Sequence, residues 1–239
     1  MLVLRYVQEA QAIFELHRMP DRVVSCRIAA AFIHCQLGEE RNAIALATAA
    51  MANPALLQPE SMACATYVRA LAHSRLGELD TALQLIEGKD HDFALMAPGV
   101  TPWLSALINW ARAQILWKIY LYKNHQNLWC GPPPDSGLVQ LGAAAPDSAD
   151  LQALLERVGR QLPAGLAWPY SDLLQLSVKG LDAGRREAAC VIRAIEGIGV
   201  RHQIKNPPIA GWAWLSSALV HCSKRQYAQA LQAVMLAKS

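Results

Sequence analysis

Apolar residues return every three or four positions over one segment of this chain after another, and the alternation expected of a strand is nearly absent. The pattern predicts helices over 3–18, 22–37, 40–52, 60–76, 79–87, 102–124, 148–161, 169–183, 185–197, 208–223 and 225–237. Helix-favouring Ala, Leu, Gln, Arg and Glu fill these segments, and prolines and glycines separate them. Most connections are short, so neighbouring helices are expected to turn back on each other as antiparallel hairpins. The stretch 129–148, WCGPPPDSGLVQLGAAAPDS, is long and turn-rich. It is either an ordered loop packed over the helices or a flexible insertion.

One phrase recurs. AFIHCQLGEERNA (31–43) and ALAHSRLGELDTA (70–82) share a small residue, a His, a turn Gly and a second small residue at fixed offsets. The same small-to-small interval joins Ser177 to Ala189 and Ala218 to Ala230, with Gly184 or Arg225 at the turn position. Small residues late in one helix and early in the next let the two approach closely. A glycine between them ends the first helix at positive φ without a Cβ penalty. One hairpin cannot bury its apolar faces alone, so successive hairpins are expected to stack over a shared core.

These sets, Ala31/Gly38/Ala43, Ala70/Gly77/Ala82, Ser177/Gly184/Ala189 and Ala218/Ala230, resemble the tetratricopeptide repeat family. Pro54 stands near the proline that closes a family repeat, and Tyr227 at its turn aromatic. The spacing here is 39 residues between the first two copies, against about 34 in the family. Arg27 and Thr66 stand where a bulky aromatic is usual. The resemblance covers 22–88 and 170–237 most clearly and implies a single all-α array over 1–239, with an irregular middle at 89–169. Its antiparallel hairpins would stack in a tetratricopeptide-like right-handed solenoid. Residues 3–18 read as the second helix of a hairpin whose first is absent, and 225–237 lack a polar capping helix. Both lead to the expectation of a segment of a longer protein.

Composition narrows the class. With 53% hydrophobic and 17% charged residues the chain can bury a large core. From position 179 onward Lys179, Arg185, Arg186, Arg193, Arg201, Lys205, Lys224, Arg225 and Lys238 face only Asp182, Glu187 and Glu196. No nucleic-acid motif accompanies this charge, so it reads as a solvated face. Six cysteines without a C-x-x-C pair suggest reduced, buried thiols and a cytoplasmic location. Residues 103–121 have the length of a membrane span, but Asn109, Arg112, Gln114 and Lys118 fall inside, which favours a buried helix. The N-terminus meets Arg5 too early for a signal peptide.

Candidate chemistry is sparse. His34, His73 and His221 occupy one repeat position beside Cys35, Ser74 and Cys222. Equivalent positions in stacked helices lie about 8–10 Å apart, while each ligand of one zinc sits about 2 Å from it. The histidines are therefore read as packing groups between helices. Asp90-His91-Asp92 reads as a solvated turn, and Gly197-Ile198-Gly199 lacks the third glycine and the strand of a dinucleotide loop. No nucleophile elbow, zinc-protease or phosphate-loop motif is present. The reading is of a non-enzyme without cofactor or metal.

Family members commonly bind through the first helix of each hairpin. Carried over, that surface comprises Ser25, Ile28, Phe32, Cys35 and Gln36; Cys64, Tyr67, Leu71, Ser74 and Arg75; and Trp212, Leu215, Leu219, Cys222 and Ser223. It is mostly apolar and suits an apolar helix, an internal loop or a hydrophobic ligand. The expected function is a protein-interaction scaffold holding a protein or peptide segment, or an adjacent output domain. The resemblance places it in a larger bacterial signalling or transcription regulator, and a homodimer is an allowed assembly. The second reading is a ligand sensor whose apolar pocket is lined by Trp103, Trp110 and Trp117, which recur every seven residues on one helix face.

Overall fold

The structure, a computed structural model, describes residues 2–53, 55, 57–87, 102–129, 147–161 and 168–238. Among them the protein is all-helical, without a strand. The helices are α1 (Leu2–Leu16), α2 (Pro20–Gln36), α3 (Glu40–Met51), α4 (Pro59–Leu76), α5 (Leu79–Glu87) and α6 (Pro102–Asn124). After a 3-10 turn at Gln126–Leu128 come α7 (Ser148–Gln161), α8 (Trp168–Asp182), α9 (Arg185–His202), α10 (Pro207–Ser223) and α11 (Tyr227–Ala237). Proline opens α2, α4 and α10, where its missing N–H costs nothing and its fixed φ suits the first turn. No described helix is long and apolar enough to cross a membrane. The Asp90–Asp92 turn, Pro54 and most of 129–148 lie outside the described residues.

Four turns share one geometry. A residue one or two positions past the helix adopts positive φ: Arg18 (54°), Gly38 (78°), Gly77 (89°) and Arg225 (60°). The next N–H then bonds back to a carbonyl five residues earlier. These bonds are Met19 to Phe14 (2.9 Å), Glu39 to His34 (2.9 Å), Glu78 to His73 (3.0 Å) and Gln226 to His221 (2.9 Å). This closure satisfies carbonyls that a helix end leaves orphaned. Ala31, Ala43, Ala70 and Ala82 are fully buried behind the Gly38 and Gly77 turns, and Ala218 and Ala230 nearly so behind Arg225.

The third copy departs from the expected register. Gly184 has φ −64° and caps the start of α9, so it makes no left-handed turn. The turn between α8 and α9 has no residue at positive φ, unlike the other four. The following helix leaves it at a different rotation about its own axis. Ala188 is therefore the buried partner on α9, while Ala189 and Cys190 face solvent. The helix also runs five residues past its expected end at 197, to His202. Gly199, read as a breaker, lies where the Trp214 ring presses on the backbone: a Cβ there would sit 3.0 Å from Cε2.

The chain forms two compact units, dividing the described residues at 115/116. In the first, α1 packs on α2, α2 on α3, α3 on α4 and α4 on α5, and α2 also touches α4. In the second, α7 packs on α8, α8 on α9, α9 on α10 and α10 on α11, and α8 also touches α10. Leu173, Val191, Ile192, Ile195, Ile209 and Val220 form the centre of the second core. In the first unit α4 is buried on almost every side, through Ala63, Thr66, Tyr67, Val68, Ala70, Leu71 and Ser74.

Candidate functional site

The residues proposed to face a partner separate into two groups. Ser25, Phe32 and Gln36 on α2, Arg75 on α4 and Trp212 and Leu215 on α10 are exposed, and Cys64 and Leu219 are half-buried. Ile28, Tyr67 and Leu71 are buried and cannot touch a partner. The cause is the enclosure of α4. The face that an open array would present on that helix is covered within its own unit, and Ile28 is buried on α2, which α4 packs against, so the carry-over of those three positions is corrected. Arg75 is already committed: it donates to the Cys35 carbonyl and lies 4.0 Å from Glu40, tying α4 to α2 and α3.

Burial also fixes the chemistry of this region. It pushes the Tyr67 hydroxyl up to about 12, with the neighbouring Cys35 adding to the effect. Burial likewise raises the Cys35 and Cys64 thiols, which disfavours the nucleophilic thiolate.

The repeat histidines also bond within their own turns, and His221 Nε2 lies 3.5 Å from Glu196 on α9. His34 Nδ1 lies 2.5 Å from Glu39 Oε2, His73 Nδ1 bonds Glu78, and His221 Nδ1 lies 2.7 Å from Gln226 Oε1. Each acceptor sits at or beside the start of the next helix, so ring and side chain clasp the turn that the backbone has closed. The repeated unit is thus His followed five residues later by Glu or Gln, a signal present in the sequence and passed over there. The third copy has Gly180 and Arg185 at those positions and no clasp.

Of the tryptophan stripe, the Trp103 side chain lies outside the described residues, Trp110 is half-buried and Trp117 is buried. Trp117 stacks on Tyr120 with ring centroids 5.8 Å apart. A polar cluster unseen in the sequence lies nearby in the second unit. Tyr120 donates to Asp182, His125 Nε2 lies 3.3 Å from the Tyr120 oxygen, and Lys224 donates to the Leu181 carbonyl at 2.8 Å. Burial lowers both His125 and Lys224. The cluster joins the end of α6 to α8 and α10. Lys224 caps the end of α8 there, and residues this far apart in sequence gave no motif.

Two clefts open in the first unit. One, of about 560 Å³, lies between the end of α1, the start of α2 and the end of α3, and includes Glu15, Arg18, Arg27 and Asn53. Arg27 and Glu15 stand 3.8 Å apart across it. The other, of about 350 Å³, runs between α1 and α2. Val3, Tyr6, Val7, Ala10 and Phe14 form one wall, Ser25, Cys26 and Ala29 the other, and Arg22 lies among them. Ser25, a predicted partner residue, thus lines this groove. Compared with known proteins, the chain matches no family model, no curated protein and no solved structure.

Proposed function

We propose that the chain is a protein-interaction module, a tetratricopeptide-like right-handed stack of helical hairpins that holds an apolar segment of a partner. Its placement as the cytoplasmic regulatory segment of a larger bacterial signalling or transcription regulator rests on the family resemblance. The stacking has support within each unit: α2 touches α4 and α8 touches α10, every second helix, as in a hairpin array. The α1–α2 groove carries the binding reading. Its walls are almost wholly apolar, its volume is about 350 Å³, and Tyr6 beside it keeps 59% of its surface in water. Such a groove suits the anchor side chains of an amphipathic helix.

The test is a polarisation screen of labelled amphipathic helical peptides against the chain and its Ala29→Glu variant. Ala29 is exposed, so the variant keeps its fold, which circular dichroism verifies. A bound peptide should lose roughly tenfold or more in affinity when the carboxylate enters the apolar groove. Peptide binding indifferent to Ala29→Glu would remove the groove from the proposal.

A further inference from the structure

In the first unit α4 lies against both helices of the α2–α3 hairpin. The side of α2 that it meets is closed: Ile28 and Cys35 are 8% and 1% exposed. The repeat register carries Ile28 to Leu215 and Cys35 to Cys222 on α10 of the second unit. Among the described residues that side is more open there: Leu215 is 48% exposed, Cys222 is half-buried, and Trp212, one turn before Leu215, is 56% exposed. On α11, Tyr227, Leu231 and Met235 follow at four-residue intervals and are 66%, 63% and 66% exposed. Counted at about 100° per residue from the Ala218 and Ala230 contact line, both stripes lie roughly a quarter-turn onward in the same sense. In an antiparallel pair equal rotation brings both to one side of the hairpin. At about 150–250 Å² per large side chain, these five expose roughly 600 Å², the upper end of what monomers usually leave bare.

The charge around this side is one-signed. Neither α10 nor α11 contains an Asp or Glu. Lys205, Arg225 and Lys238, all exposed, bracket the two helices, while Lys224 is turned to the Leu181 carbonyl. Of the nearby carboxylates, Asp182 already accepts from Tyr120 and Glu196 from Ser217. A second copy placed face to face would set basic rims against each other, an arrangement that disfavours association. The geometry points to the open side of the α10–α11 hairpin as the docking site of an amphipathic helix from another protein, with Asp or Glu flanking its apolar stripe. The helix takes the place that α4 fills on the α2–α3 hairpin. The site lies in the other unit from the α1–α2 groove and stands whether or not that groove is used.

The experiment uses the whole chain and labelled helical peptides of the length of α4, with leucines at i, i+4 and i+7. One peptide carries glutamates beside the stripe, one carries lysines, and one carries the glutamates with a central proline. The glutamate peptide should bind, the other two roughly tenfold or more weakly, and added salt should narrow the difference between the charged pair. Leu231→Asp, at a solvent-facing position, should cost roughly tenfold or more, while Ala29→Glu leaves this binding unchanged. Equal affinity for the lysine peptide, or binding that survives Leu231→Asp, overturns the proposal. Loss on Ala29→Glu alone moves the peptide to the α1–α2 groove and likewise overturns it. Sedimentation showing a homodimer that Leu231→Asp dissolves gives the surface to a second copy. Displacement of the peptide by a single-stranded oligonucleotide but not by polyglutamate gives it to nucleic acid. Either result refutes the acidic helix.

Discussion

Gly180 offers a direct measure of how closely α8 is held. It occupies the repeat position of the clasping histidines, yet carries no side chain. A methyl group added there would sit 2.9 and 3.0 Å from the two γ-carbons of Val220 and 3.2 Å from Val191. Relaxed carbon contacts lie at about 3.5–4.0 Å. Val220 is 0% and Val191 6% exposed, so neither can swing into water. In a helix interior Gly→Ala ordinarily stabilises by about 1 kcal/mol, but overpacking of this kind costs about 1–3 kcal/mol. Gly180→Ala should therefore lose about 1 kcal/mol net. Gly197→Ala on α9, where nothing lies within 4 Å of the new methyl, should gain up to about 1 kcal/mol. Guanidinium denaturation followed by far-UV circular dichroism compares the two. Truncating Val220 to Ala in the Gly180→Ala background should return part of the loss, with a coupling of about 1–2 kcal/mol in the double-mutant cycle. If Gly180→Ala stabilises as much as Gly197→Ala, α8 does not approach α10 as described.

Other outcomes follow from the turns and the thiols. Arg225 at φ 60° holds a left-handed conformation that Gly77 adopts freely at 89°. Arg225→Gly should raise the melting temperature and Gly77→Ala lower it, each by the equivalent of about 1 kcal/mol. Hydrogen bonds from His34 and then Asn42 hold the Glu39 carboxyl below its ordinary 4.5. A depressed carboxylate adds stability above its unfolded value and loses it as pH falls through the folded one. Urea unfolding should therefore weaken less between pH 5.5 and the acid limit in Glu39→Gln than in the parent, and equal slopes would refute the clasp's role. Cys190 is exposed whereas Cys35 is buried with its thiol raised. Alkylation at neutral pH should mark Cys190 first and reach Cys35 only on unfolding, as peptide mapping would show.

Helix positions were legible because each segment repeats its apolar residues at helical spacing between prolines and glycines; α5, α6 and α7 begin and end where the pattern places them. What failed were inferences that needed a neighbour. Gly199 looks like a stop when read along the chain, and only the ring of Trp214 across the helix pair explains its place inside α9. Ser177 and Ala189 look paired by interval, but the interval holds only where the turn takes the left-handed form, and Gly184 at φ −64° does not. Tyr67 and Leu71 carry no mark that separates an open face from a covered one, because polar and apolar residues are mixed around α4 without a stripe. The Tyr120–Asp182 bond joins positions too distant for any local pattern. Histidine and Glu or Gln at a separation of five are visible in the sequence, and each pair is local to its own turn, with a different partner for each of the three histidines.

The clasps have a spectroscopic consequence. A carboxylate or amide oxygen can only accept, so Nδ1 of His34, His73 and His221 must carry the proton in each closed turn. A neutral ring in a closed turn is thereby confined to one tautomer, and opening the turn releases that constraint. Nitrogen resonances of three imidazoles then act as separate gauges, two in the first unit and one in the second. They would report fraying of each hairpin under load, heat or ligand before the helices themselves melt.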